Sequence, residues 1–417
     1  MFFNKKISIY LILSFTLFFG FLLGENSSGG AKIDHQYLVP FIKNFSINFE
    51  DGLEAFLSNS GSLIHSPSFY IIMGFFLNVF ENLMSVNILY LIISLLLPFF
   101  FFCILKEKFQ INNSVVFYIS IIIFLSPYFR SSAIWLLNDN LSLIFLSLSI
   151  LFFVKFDQNK KNNHLIVLSV IFLIICCYIR YYYCVFYLYY FFYFLVNFER
   201  KLLFKILFLS FILSIPALVY FYYVIIEFNF IETLDTFGEI NYLNSGIIIL
   251  TIIFFYLFPF LIDKDFTIFN YYKKNIKVIL IFVFIFLFLC FIHYFLINDL
   301  IKFPQNGGGI FIKLFRFLHI NENLSMIFIS LISLIALDFL FKKNRILNYF
   351  LLCVLIASLP MVTIYQKYLD PLFFLIFFGL VKSDYLNESI IKGKLNLKFI
   401  FSYFSSFYLL SLLYYLN

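Results

Sequence analysis

The chain has 417 residues, of which 63% are hydrophobic and only 12% charged, about half the charged share usual in soluble domains. One aqueous core could not take up that much apolar surface, so the composition excludes a soluble globular domain and leaves the remainder to lipid. The formal net charge of +7 does not point to nucleic acid, because the basic residues fall in short clusters between apolar runs, where they report topology.

In chain order, Met1 to Lys6 followed by apolar Ile7 to Leu23 reads as a retained anchor and not a cleaved leader. The apolar run is longer than a usual signal core, no small-x-small site follows at Gly24 to Gly30, and many further apolar runs come after it. A long polar-rich segment, 24–86, comes next. Spans are expected near 7–23, 87–105, 114–128, 141–156, 165–179, 181–198, 206–226, 247–262, 278–297, 324–341, 346–364, 368–381 and 399–416, about 13 in all. The longest approach the roughly 20 apolar residues that a helix needs to cross the hydrocarbon. Ser68 to Leu83 is also apolar, but it is short and ends in Asn78, Glu81 and Asn82, so it is expected to lie along the surface.

Charge fixes the parity. With Met1 inside, 21 of the 29 Lys and Arg fall at cytoplasmic ends, in clusters such as Lys155/Lys160/Lys161, Lys273/Lys274/Lys277 and Lys342/Lys343/Arg345, as the positive-inside rule requires. If Ser68 to Leu83 crossed, every later cluster would be inverted. The outer face then holds the long loop 24–86 and two medium ones, Glu227 to Gly246 and Asp299 to Asn323, and function is expected there. The six cysteines are scattered, mostly within apolar runs, and read as small core residues. No Walker motif, zinc spacing or redox motif is present.

The first loop carries Gly29-Gly30-Ala31-Lys32-Ile33-Asp34-His35 and, further on, His65-Ser66-Pro67-Ser68-Phe69-Tyr70. Asp34, near the headgroup region and beside His35, suits a general base acting on a hydroxyl; the plainer role is a helix cap. Asp139 in Asn138-Asp139-Asn140 stands at the mouth of a span, where it too could serve as an N-cap. Arg130, Arg180, Lys313, Arg316 and Lys367 run against the positive-inside rule near membrane boundaries. Ionisable groups at that depth need a partner; a lipid phosphate is one, and headgroup snorkelling is the alternative. Gly307-Gly308-Gly309 reads as a hinge before a helix that places Lys313 and Arg316 on one face. Asp338 is expected to pair with the basic cluster at Lys342.

Together these elements resemble the GT-C superfamily of membrane glycosyltransferases, the group that contains protein O-mannosyltransferases and the lipid A aminoarabinose transferase. The resemblance lies in the acidic first-loop element at Asp34-His35, the juxtamembrane His65-Ser66-Pro67, the second-loop Asp139, and the late Lys367-Tyr368-Leu369-Asp370-Pro371. The family's Asp-Glu pair stands here as Asp34-His35, its Pro-Pro as Ser66-Pro67, and its late Arg as Lys367. The resemblance implies an all-α polytopic fold with one transmembrane domain over 1–417, set in a bacterial cytoplasmic membrane. It also implies transfer of a sugar from a polyprenyl phosphate to a glycan, lipid or protein acceptor, with inversion. Asp34 and Asp139 would be catalytic. His35, His65, Arg130, Arg180, Lys313, Arg316 and Lys367 would bind substrate and phosphate. Whether a divalent metal ion assists is left open. An oligosaccharide polymerase or ligase, whose dominant outer loop should come later in the chain, and a lipid-linked oligosaccharide flippase or transporter are the alternatives.

Overall fold

The computed structural model describes residues 2–58, 66–111, 114–160, 162–198, 200–227, 241–263, 265, 267–297, 303, 307–359 and 363–415. Among them the structure is helical throughout, with a single isolated bridge between Asp263 and Leu395 and no strand. Seven helical stretches are long and apolar enough to cross a membrane, or nine if two bent helix pairs each count as one. Backbone polar groups in lipid must be satisfied within the chain, which helices achieve. The protein is therefore an all-α, multi-pass membrane protein.

Two compact units divide the chain, residues 1–236 with 404–417, and residues 237–403. The first begins with α1 (Phe2–Leu22), then α2 (Ala31–Ile47), α3 (Phe49–Leu57) and α4 (Ser68–Phe80). Helices α5 (Leu83–Ser94) and α6 (Leu96–Phe109) share one apolar stretch of 27 residues. After α7 (Ser114–Ile121) and a 3₁₀ turn, the Ser126 hydroxyl caps the amide of Phe129 at 2.9 Å and Pro127 opens α8 (Pro127–Ile134). A serine cap followed by proline is a helix start signal. Placed inside an apolar run, it breaks the path by 61°. Then follow α9 (Asn138–Gln158), α10 (Asn163–Ile179), a 3₁₀ turn at Tyr181–Val185, α11 (Phe186–Asn197) and α12 (Arg200–Glu227). Phe204, Phe208, Phe211 and Tyr222 on α12 are exposed, the surface that a lipid-facing helix presents.

The second unit comprises α13 (Tyr242–Leu261), α14 (Thr267–Lys274), α15 (Ile276–Ile297), α16 (Gly309–Phe317), α17 (Glu322–Phe341), α18 (Arg345–Ala357), α19 (Leu372–Gly379) and α20 (Asp384–Ile391). The last helix, α21 (Leu397–Tyr415), starts in this unit and ends in the first. Between α17 and α18 the loop expected around Lys342 is only a 3₁₀ turn, so 322–357 runs as one helical stretch. Asp338 lies 3.5 Å from Arg345 and accepts a hydrogen bond from Tyr349 at 3.1 Å, so it does pair within the basic cluster of that turn.

Candidate functional site

In the first unit, α2, α3 and α4 form a small aromatic core in which Phe41, Phe45, Phe56, Phe69 and Tyr70 are buried. The helices approach closely at Gly74, where an added Cβ would come within 2.7 Å of the Phe45 Cβ. Asn78 ties the far end by donating to the Ser46 carbonyl at 2.8 Å. Tyr70, one helical turn before Gly74, shares its face and packs its ring on Phe41 and Phe56 at 5.9 and 5.4 Å between centroids. Helix α2 thus carries Asp34 and Tyr37 into the surroundings of the Tyr70 hydroxyl. Burial pushes that hydroxyl far above the ordinary tyrosine range; Arg180 opposes the shift, and Asp139, Asp34 and Tyr37 reinforce it. Residues of α2, of α4 and of the turn at 136–141 share one buried cluster, which brings together the elements that carry the two acids.

Asp139 reaches this place through a tightly held turn. Leu136 adopts a left-handed φ of 51°, a strained conformation for a side chain branched beyond Cβ, and the neighbouring polar groups fix it there. Ser132 donates to the Leu137 carbonyl at 3.1 Å and accepts from the Asn140 amide at 3.2 Å. Tyr90 also donates to the Leu137 carbonyl, and the Asn140 carboxamide donates to the Phe129 carbonyl at 3.0 Å. Helix α9 begins at Asn138 with Leu137 as its N-cap and no side-chain cap, so Asp139 sits in the first turn without capping it. Its Oδ1 instead meets Arg180 Nη2 at 2.9 Å. Likewise the N-cap of α2 is Gly30, with no side-chain cap, and Asp34 lies within the first turn. Neither acid takes the capping role that its position suggested.

Arg180 follows α10 and is anchored at three points. Besides Asp139, its Nε donates to Asn138 Oδ1 and its Nη1 to the Tyr182 hydroxyl, each at 2.9 Å. Its side chain is 10% exposed and that of Asp139 18%, so the pair is largely out of water but retains an open edge. His35 turns toward Trp135, with ring centroids 5.7 Å apart. Burial lowers its pKa, partly offset by a hydrogen bond to the Trp135 backbone.

Arg130 is committed elsewhere. Its Nε and Nη2 grip the Glu25 carboxylate at 2.8 and 2.6 Å, and Nη2 also donates to the Thr16 carbonyl at 3.0 Å. Tyr408 from α21 donates to the same carboxylate at 3.0 Å, its ring 4.8 Å from the guanidinium carbon. Ser27 adds a hydrogen bond at 2.9 Å. With side chains 3% and 6% exposed, this pair is sealed, and the phosphate-binding role expected of Arg130 has no open edge to act through. Its function is to fasten α1, α8 and α21 together. The Glu25 carbonyl in turn accepts from Trp135 Nε1 at 2.7 Å, which joins this fastening to the turn that carries Asp139.

The remaining basic residues of the sequence reading belong to the second unit. Arg316 pairs with Glu322 at 2.9 Å, Lys313 is exposed on α16, and Lys367 lies 5.5 and 5.9 Å from the ring centroids of Tyr365 and Tyr368. The glycine triplet is a closed turn and not a hinge. All three glycines have φ between 76° and 86°, and Gly308 donates to the Ile364 carbonyl at 2.7 Å. Gln366 accepts from the Ile310 amide at 3.0 Å and donates to Tyr256 at 3.0 Å. The turn is thereby stitched to the segment that leads into Lys367. His65 lies outside the described residues. Among the described residues no three His, Cys, Asp or Glu side chains gather as a metal-ligand set.

Sequence reasoning missed Glu25 and Tyr408, and it quoted two further contributors within motifs without giving them a role, Tyr70 and Asn138. The last two flank motif residues, and that adjacency was the available signal. Glu25 and Tyr408 gave none, because their roles arise from contacts hundreds of residues apart. No protein-family model, curated protein or solved structure matches the chain, so the likeness to GT-C enzymes rests on the motif residues alone.

Proposed function

We propose that the protein is a glycan-building transferase of the membrane, and more narrowly a GT-C-like glycosyltransferase that takes its sugar from a polyprenyl phosphate. The observation that carries this reading is the Asp139–Arg180 pair, largely out of water but with an open edge, beside the buried cluster that the Asp34 helix shares with Tyr70 and the 136–141 turn. In the mechanism, the acceptor hydroxyl gives its proton to the Asp34 carboxylate as its oxygen bonds to the anomeric carbon from the face opposite the phosphate. The bond from that carbon to the phosphate oxygen breaks, and polyprenyl phosphate departs with the electron pair. Arg180, oriented by Asp139, faces the charge that develops on the leaving group, the kind of electrostatic contribution that commonly dominates such transfers. The acceptor is a glycan, lipid or protein, and no step is routed through a metal.

The decisive experiment uses purified protein in lipid nanodiscs with polyprenyl-phosphate sugar donors. Asp34→Asn keeps the size and hydrogen bonding of the side chain but cannot take the proton, so transfer should fall by roughly 10²-fold or more. Because Gly30 and not Asp34 ends α2, stability should be unchanged. Near-normal transfer by the variant would sink the mechanism.

We further propose thirteen spans, with Met1 on the cytoplasmic side of a bacterial inner membrane. Nine stretches become thirteen when 322–357 counts as two and α10, α11 and α19 each cross. Cysteines at Lys160 and Gly308 should then label from opposite faces, the first only from the cytoplasm. Labelling of position 160 from outside would overturn the orientation. A transporter is the second reading, favoured by the broken helix at Ser126, since discontinuous helices commonly line transport sites. Substrate that emerges chemically unchanged in sealed vesicles would select it.

A further inference from the structure

The Tyr70 hydroxyl and the Asn138 Nδ2 have no hydrogen-bond partner among the described residues, although Tyr70 is 0% and Asn138 2% exposed. A buried donor left unmet is costly, and native structures rarely keep one without a reason. Packing does not supply the reason for Tyr70. Its ring neighbours Phe41, Phe56 and Phe69 are phenylalanines, and a phenylalanine at position 70 would fill the same space without the orphaned hydroxyl. The orientation of the Asn138 amide is also fixed. Its Oδ1 accepts from Arg180 Nε at 2.9 Å, and a flipped amide would set two donors against each other. Nδ2 therefore keeps its hydrogens for something else.

Both groups lie about the same cation. Asn138 touches Arg180 directly. The segment that opens the Tyr70 helix is tied to the end of the Arg180 helix by the Ser66 hydroxyl, which donates to the Tyr178 carbonyl, and Tyr70 lies in one buried cluster with Leu137 and Ile179. The Asp139 carboxylate is held by Arg180, and Asp34 stands nearby as a second acid. The groups left without partners, a phenol and a carboxamide N–H beside a guanidinium, are nevertheless all donors, which suits an oxygen that only accepts. A phosphate oxygen has lone pairs for all of them and prefers a positive neighbour. A neutral hydroxyl would bring a donor of its own into a place already supplied with donors. The two neutral groups also supplement Arg180, whose charge is shared with Asp139.

We propose that Tyr70 Oη and Asn138 Nδ2 form a paired donor subsite that, beside Arg180, receives an anionic phosphate oxygen. That the phosphate belongs to a polyprenyl lipid rests on the function proposed above; the phosphate chemistry itself does not.

The test measures binding to detergent-purified protein of a polyprenyl monophosphate, the corresponding polyprenol and inorganic phosphate, each without any sugar. The wild type should bind the monophosphate more tightly than the polyprenol. Tyr70→Phe should weaken monophosphate binding by roughly tenfold or more, the value of a hydrogen bond to a charged group, while the ligand-free variant melts no lower than wild type. Asn138→Asp keeps the acceptor for Arg180 but sets a negative charge against the phosphate, and should weaken binding at least as much. Inorganic phosphate bound alone, with the same sensitivity to both variants, would uphold the subsite and overturn its lipid source. Equal binding of polyprenol and monophosphate, or unchanged binding by Tyr70→Phe, would overturn the subsite. The two proposals fail separately. Weakened binding with no transfer from any sugar donor defeats only the glycosyltransferase reading, whereas normal binding by Tyr70→Phe in an active enzyme defeats only the subsite.

Discussion

Glu25–Arg130 and Asp139–Arg180 are both arginine–carboxylate pairs drawn out of water in the same unit, but their surroundings differ. Around Glu25, two guanidinium nitrogens, a serine and a tyrosine occupy the carboxylate. Around Arg180, the anchors are equally well made, yet two neighbouring donors are left over and the Asp139 side chain is 18% exposed. A satisfied pair holds helices in place; a pair with donors to spare can exchange partners. Charge and residue type are the same in both; what differs is the complement of hydrogen bonds around them.

The largest effect that would test this contrast is at the sealed pair. Arg130→Met leaves Glu25 buried without its cation, which typically costs about 3–5 kcal/mol, so the variant should lose most of its folded fraction in detergent unfolding. Retention of wild-type stability would mean that the pair is not a fastening. At the open pair, Arg180→Ala should act on function more than on folding. Donor turnover should fall by about 2 kcal/mol in activation free energy, the scale of a charge-assisted contact. Normal turnover at normal protein levels would return Arg180 to a headgroup contact.

The smallest effect is a pH dependence at His35. Its folded pKa lies below the ordinary 6.5, so the unfolded chain binds the proton more readily, and stability falls as pH drops below about 6.5 until the folded histidine also titrates. Above that range the stabilisation is complete. Melting temperatures measured across mildly acid pH should therefore decline more steeply for the wild type than for His35→Gln. Parallel curves would remove His35 from the account.

Much of the helical architecture was legible because hydrophobic length is a strong signal, as in 83–109 and 138–158, whose apolar runs were apparent from composition alone. The breaks were harder. The Ser126-Pro127 start signal lay in plain view, but an apolar run through it looks continuous until the cap is seen bonded to Phe129. Asp34 and Asp139 were found because acids are rare near membrane ends. That neither caps its helix was not legible, since one residue's difference in where a helix begins decides it. The fate of Arg130 was least readable of all: an arginine near a boundary offers the same letters whether its partner is a phosphate or a glutamate 105 positions away.

The hydrogen bond from Tyr408 to Glu25 spans 383 positions of chain, and Ser411 likewise reaches back to the Ser27 carbonyl at 2.6 Å. A change at Tyr408 therefore reaches the turn that carries Asp139 through Glu25, whose carbonyl holds the Trp135 indole, without touching Trp135 or Asp139.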